Sequence, residues 1–256
     1  MLSRGDRGFL LNYKGSAVVT ATTVPDPALL KRRISVDRLA PYKTAAGGGA
    51  TDALNLYQWN AEVSAAFWVV LGHLEILVRN AMHEQLTALS ISRHRDPDWY
   101  LALAADLSSE ACATIADARR HATANGRAET AGRVVAELPF GFWRYLLASR
   151  YERTLWRTRL YRAFPGQGRR QAVYAKFAGL HQLRNRVAHH EPVHNRPLAR
   201  LQDDALLVAE WTCPATRTWI AARSAVPRLL ASRPQPTPPA AISQIPATSR
   251  YSHGTG

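Results

Sequence analysis

The run Leu183-Arg184-Asn185-Arg186-Val187-Ala188-His189-His190-Glu191-Pro192 gathers the residue types best suited to chemistry on a phosphate. Arginine offers a planar fork that donates two parallel hydrogen bonds to phosphate oxygens. Histidine exchanges a proton near neutral pH, with an unperturbed pKa of about 6.5. Asparagine both donates and accepts, so it can hold a histidine or a phosphate oxygen. This set matches metal-free RNA cleavage, in which the ribose 2′-hydroxyl attacks the adjacent phosphorus. That step needs a base, a proton donor for the leaving oxygen and a cation for the developing charge.

The spacing poses a problem. Arg184 and His189 are five residues apart, which is about 140° of rotation on a helix. They do not stack as an i,i+4 pair. Arginine's length, an unwound last turn before Pro192, or a second subunit must bring them together. A helix C-terminus favours protonated histidine. The competing reading is a surface arginine and a helix-end histidine.

Charge supports a polyanionic partner. The chain carries 33 basic and 19 acidic residues, a formal net charge of +14. Residues 130–200 hold 14 of the basic residues against three acids, Glu137, Glu152 and Glu191. Such a field speeds association with nucleic acid. An Arg- and Ala-rich genome explains arginine over lysine but not the scarcity of acids. Arg144, Arg150, Arg153, Arg157, Arg159, Arg162, Arg169 and Arg170 alternate with Trp143, Tyr145, Tyr151, Trp156 and Tyr161. These arginines read as a solvated face or as a phosphate-tracking surface, beside aromatics able to stack bases.

Other chemistries find little footing. Cys112 and Cys213 lack metal-ligand spacing, and a reduced intracellular protein is the expectation. His181, His190 and His194 cluster near His189, but Pro192 disrupts the i,i+4 pair and no H-E-x-x-H occurs, so no metal and no cofactor is expected. No Gly-rich loop has a phosphate-binding form. The apolar run 63–74 is too short to span a bilayer, and no secretory signal is expected. The chain reads as cytoplasmic, with no membrane partner.

The elements that position the run are helical throughout. Residues 28–40 fit a short basic helix. Leu56, Trp59, Val63, Phe67, Val70, Leu74, Leu77, Val78 and Met82 step by three and four, which predicts a helix from Asp52 to about Leu89, capped by Thr51 or Asp52. Further helices are predicted over 107–124, stopped by Asn125-Gly126, and over 142–164, 169–190 and 198–222. Pro192 limits the helix that carries the motif. Glu75 and Arg79 sit at i,i+4 with the acid first, the order of an ordinary stabilising pair, and they border the apolar stripe. The expected architecture is an all-α bundle with disordered tails: a flexible segment 1–33, a helical domain 34–225 and a Pro-rich tail 226–256.

Read with its flanking segments, the run resembles the Arg-polar-x(3–5)-His motif of HEPN-domain proteins, and more narrowly the Abi-like (abortive infection) family, with its R-N-x-x-x-H-H stretch. Ser35-x-x-Arg38-Leu39-x-x-Tyr42 is similar to that family's opening. Leu56-Tyr57-x-Trp59-Asn60 and Leu74-Glu75-x-x-x-Arg79-Asn80 resemble its first long helix, and Leu138-Pro139-Phe140-Gly141 its middle turn. The likeness spans roughly residues 34–212. It implies a HEPN-like helical bundle and a metal-independent endoribonuclease, with a role in phage defence or toxin-like growth arrest. It also implies a homodimer with two motifs facing one cleft, and leaves room for a neutralising antitoxin.

Carried over, Arg184 binds phosphate, Asn185 orients, and His189 moves protons, with His190 an adjacent candidate. Glu75 and Arg79 support them, Glu75 by orienting Arg184 or His189. RNA would lie along Arg144, Arg150, Arg153, Arg157 and Arg186. Two other readings remain open: an RNA- or nucleotide-binding module that does not cut, and a structural lock between Arg184 and Glu75.

Overall fold

The computed structural model describes residues 27–236. Two short helices lead in, α1 (Pro27–Ile34) and α2 (Val36–Ala45). They replace the single helix expected over 28–40. Ser35 separates them with φ 83°, and its hydroxyl accepts from the Arg38 backbone N–H as the α2 cap. The opening S-x-x-R-L-x-x-Y pattern thereby gains a physical account. Ser35 caps, Arg38 reaches across to the His190 carbonyl, and Leu39 and Tyr42 enter the core.

The apolar stripe then winds into one long helix, α3 (Ala50–His94), about 68 Å of rise. Val63, Phe67, Leu74, Val78, Met82 and Leu86 are almost wholly buried along it. Each such side chain contributes roughly 1.5–3 kcal/mol by leaving water. Gly49 rather than Thr51 or Asp52 is the N-cap, and Asp52 falls in the first turn, where it complements the helix dipole. By length and composition α3 also satisfies the requirement for a membrane-crossing helix, which the run 63–74 by itself does not. Its buried face is the spine of the bundle.

Everything else packs around that spine. After α4 (Trp99–Ala102), α5 (Ser109–Ala122) pairs with α6 (Ala131–Glu137). Asn125, in the left-handed conformation at φ 60°, turns the chain after α5 as expected. Then come α7 (Phe140–Tyr145), α8 (Arg170–Ala188), α9 (Leu198–Thr212), α10 (Pro214–Arg223) and α11 (Val226–Ala231). α8 and α9 lie against each other and against α3. Among the described residues every regular element is helical.

Further boundaries differ from the sequence expectation, and α3 itself runs past Leu89 to His94. The helix expected over 142–164 stops at Tyr145. The chain continues as a 3-10 turn (Ser149–Tyr151), a π turn (Glu152–Trp156) and another 3-10 turn (Leu160–Ala163). The helix over 198–222 breaks at Cys213, because Pro214 cannot continue it and instead starts α10. The segment 226–256 is not wholly a tail: Val226 and Leu229 of α11 are buried, and the Trp59 indole N–H donates to the Leu229 carbonyl at 2.7 Å. Likewise α1 occupies the end of the segment 1–33. The rest of both expected tails, 1–26 and 237–256, lies outside the described residues.

The motif helix ends in its own way. His190 adopts φ 54°, the Glu191 N–H donates to the Arg186 carbonyl at 2.8 Å, and the His190 N–H to the Val187 carbonyl at 3.1 Å. This is a Schellman turn with histidine where glycine is usual. It, rather than Pro192, terminates α8 at Ala188.

Candidate active site

The turn Leu138-Pro139-Phe140-Gly141 builds one wall of a cleft. Leu138 is buried, Pro139 stands at the α7 N-cap, and the Phe140 ring stacks on Phe177 of α8 at 5.5 Å, nearly parallel. That stack fixes α7 against α8. Gly141 then faces His181: a Cβ at this position would lie 3.0 Å from His181 Nε2. Glycine gives the imidazole its room.

The cleft encloses about 360 Å³ between α5, α7 and α8. From α8 it takes His181, Arg184 and Asn185, from α7 Tyr145, and from α5 Glu110. His181 and Asn185 are one turn apart on the same face, with Asn185 Nδ2 3.4 Å from His181 Nε2. The Arg184 guanidinium carbon sits 5.7 Å from the centre of the Trp68 ring, which projects from α3. Burial lowers the His181 pKa first, and the positive charges of Arg144 and Arg184 lower it further. Glu110 is held below the usual glutamate value by its own backbone N–H and by Ser108, so it stays ionised.

On α3, Glu75 interacts electrostatically with both Arg184 and Arg79. Burial raises the Glu75 pKa, while Arg184 and then Arg79 pull it back down. Glu75 is therefore the electrostatic neighbour of Arg184. Arg79 reaches the Ala136 carbonyl at 3.4 Å and ties α3 to α6. The Nε atoms of Arg79, Arg144 and Arg184 are buried without a hydrogen-bond partner in the protein.

No family model, curated protein or solved structure matches this chain. The site therefore rests on its geometry.

The structure brings together only part of the expected set. Arg184 and Asn185 open onto the cleft. His189 does not: it caps α8 and is exposed to solvent. The Schellman turn sends His190 the other way, into a second, mostly apolar groove of about 850 Å³. That groove is lined by Arg38, Tyr42, Tyr57, Asn60, Trp68 and Val69 among others. The expected unwinding of the last turn does not occur: α8 stays regular through Ala188, the His189 N–H bonds to the Asn185 carbonyl at 2.9 Å, and neither His189 nor His190 lines the cleft.

The arginine surface also divides. Arg144 packs over Tyr174 at 5.7 Å, beside His181. Arg150 donates to the Tyr145 hydroxyl at 2.6 Å at the cleft rim. Arg153 is exposed and lines no part of the cleft. Arg157 is paired with Glu152 at 3.0 Å, which also holds Arg170 at 2.6 Å. Arg186 lies 3.4 Å from Glu191. Among the described residues no group of three or more His, Cys, Asp and Glu side chains is placed to hold a metal ion.

His181, Gly141, Tyr145 and Glu110 were not singled out as site residues from the sequence. One signal was present: His181, Arg184 and Asn185 share the i, i+3, i+4 spacing of a single helix face.

Proposed function

We propose that the chain is a metal-independent endoribonuclease of the HEPN type, acting in the cytoplasm in an abortive-infection or toxin-like role. One observation carries the reading. Arg184 and Asn185 open with a histidine onto one cleft. Arg184 holds the scissile phosphate, and Arg144 and Arg150 extend the positive rim along the strand. Glu75 keeps Arg184 oriented, its carboxyl pushed upward by burial and partly drawn back by Arg184 and Arg79.

An exposed apolar stripe on α3 supports a homodimer, and a neutralising antitoxin would act by covering the basic rim. The experiment is cleavage of labelled single-stranded RNA by the purified chain in excess chelator. Arg184→Ala is expected to lose at least about a hundredfold in rate with its helical circular dichroism intact. Full activity in that variant would overturn the reading.

A second reading is an RNA-binding module that does not cut. The placement of His189 and His190 outside the cleft favours it. Salt-sensitive binding, with labelled RNA left intact by the wild-type chain, would select it.

A further inference from the structure

We propose that His181 is the proton-accepting base of this cleft, positioned by Asn185 and by the missing side chain at Gly141. The inference rests on the ribonuclease reading and names the group that reading lacks. His189 caps α8 in solvent, and His190 lines a different groove. Among the described residues, His181 alone of the histidines lines the cleft with Arg184 and Asn185.

Its surroundings fit the role from every side. On α7, Phe140 lies 6.0 Å from the imidazole and limits its tilt, and Gly141 leaves room beside Nε2 that a Cβ, 3.0 Å away, would take. On α8, the Asn185 side-chain amide lies 3.4 Å from Nε2, one helical turn along, and steadies the ring. The charged groups nearby are Arg144 on α7, Arg184 on α8 and Glu110 on the α5 wall, with Arg150 at the rim and Glu75 and Arg79 behind Arg184. The positive charges and burial keep the imidazole neutral, so it is free to accept a proton at pH 7.

The step balances. The His181 imidazole takes the proton of the ribose 2′-hydroxyl on its unprotonated ring nitrogen, and the oxygen forms a bond to phosphorus. The bond from phosphorus to the 5′-oxygen breaks, that oxygen takes a proton from water, and the hydroxide left behind takes the proton back from the His181 imidazolium. The products are a 2′,3′-cyclic phosphate and a 5′-hydroxyl, with Arg184 paired to the phosphorane in between. Asn185 and Gly141 are positioning residues.

The test uses the full chain and end-labelled single-stranded RNA of mixed sequence, in chelator. In His181→Ala, kcat is expected to fall by roughly 10²–10⁴-fold, with RNA affinity retained and part of the rate restored by added imidazole. The loss should exceed that in His189→Ala by at least tenfold. The wild-type rate should fall on the acid side only below pH 6.5, and His181→Ala should lack that limb. Gly141→Ala, which crowds Nε2, should lower kcat with little change in KM. If His181→Ala stays within threefold of wild type while Arg184→Ala is dead, the base is elsewhere and the ribonuclease reading stands. If Arg184→Ala is also fully active, or the wild-type chain does not cut, both fail.

Discussion

His194 is 4% exposed, packs 4.9 Å from the Tyr42 ring, and has neither ring nitrogen hydrogen-bonded within the protein. Burial lowers its pKa, with Arg233 adding to the effect. His83, which accepts from the Trp99 indole at 2.9 Å, and His181 are lowered for the same first reason. The linkage has a definite sign. Each group binds its proton less readily folded than unfolded, where the pKa is about 6.5. The stability tied to neutral imidazole is therefore complete above about pH 6.5 and drains away as pH falls below it, by up to about 1.4 kcal/mol per pH unit for each proton. The midpoint of guanidinium unfolding should hold steady from pH 8 to 7 and drop between pH 6.5 and 5. His194→Phe removes one of these groups, so its drop should be shallower whatever its stability at pH 7. Equal slopes for variant and wild type would show that His194 is not among the groups responsible.

At the scale of elements, the end of α8 is held by α2 and α3. The Asn60 side-chain oxygen accepts from the Val193 N–H at 2.8 Å and the His194 N–H at 3.0 Å, and all of these groups are buried. Arg38 binds the carbonyl of His190, the left-handed residue of the terminating turn. Asn60→Ala leaves two buried donors unmet, so a loss of roughly 2–4 kcal/mol is expected. Asn60→Asp keeps the acceptor and should lose less. Urea denaturation measures both, and an alanine variant within about 0.5 kcal/mol of wild type would remove this anchor from the account.

Local pattern made some of this legible and left some hidden. The stripe from Leu56 to Met82 announces α3 because a single helix face repeats in sequence. That Arg184 and Asn185 face one cleft was legible too, because their spacing is local. Residues 142–164 misled, since their apolar steps suit a helix. The backbone there answers instead to distant partners: the Tyr151 hydroxyl takes the Ser108 N–H at 3.1 Å, and Glu152 holds Arg170. His181 escaped for the same reason, because Gly141 and Phe140 reach it across the bundle. The left-handed turn at His190 hid as well, since histidine is not the residue such a turn usually takes.

At the scale of the whole molecule, α3 shows a second stripe, turned away from the core. Ala61, Ala65, Trp68, Val69, Gly72 and Ile76 are all exposed and fall within about 100° of arc on the helix. Trp68, Val69 and Ile76 are each about half exposed, at 50%, 51% and 49%. A contiguous apolar surface of this kind marks a contact site. The pattern is complementary to itself when reversed. An antiparallel copy of α3 with its two-fold axis at Trp68 and Val69 sets Ala61 against Ile76, large on small, and Ala65 against Gly72, where two helices can approach closely. Arg184 stacks on Trp68, so the same axis would bring the two arginines beside one another. Light scattering at tens of micromolar should therefore report a dimer. Ala61→Glu and Ile76→Arg should each give monomers, because each buries charge without a partner. The double variant should recover the dimer, since the reversed register pairs the new carboxylate with the new guanidinium twice across the axis. A monomeric wild-type chain would exclude this interface, and a double variant as monomeric as its parents would exclude this register.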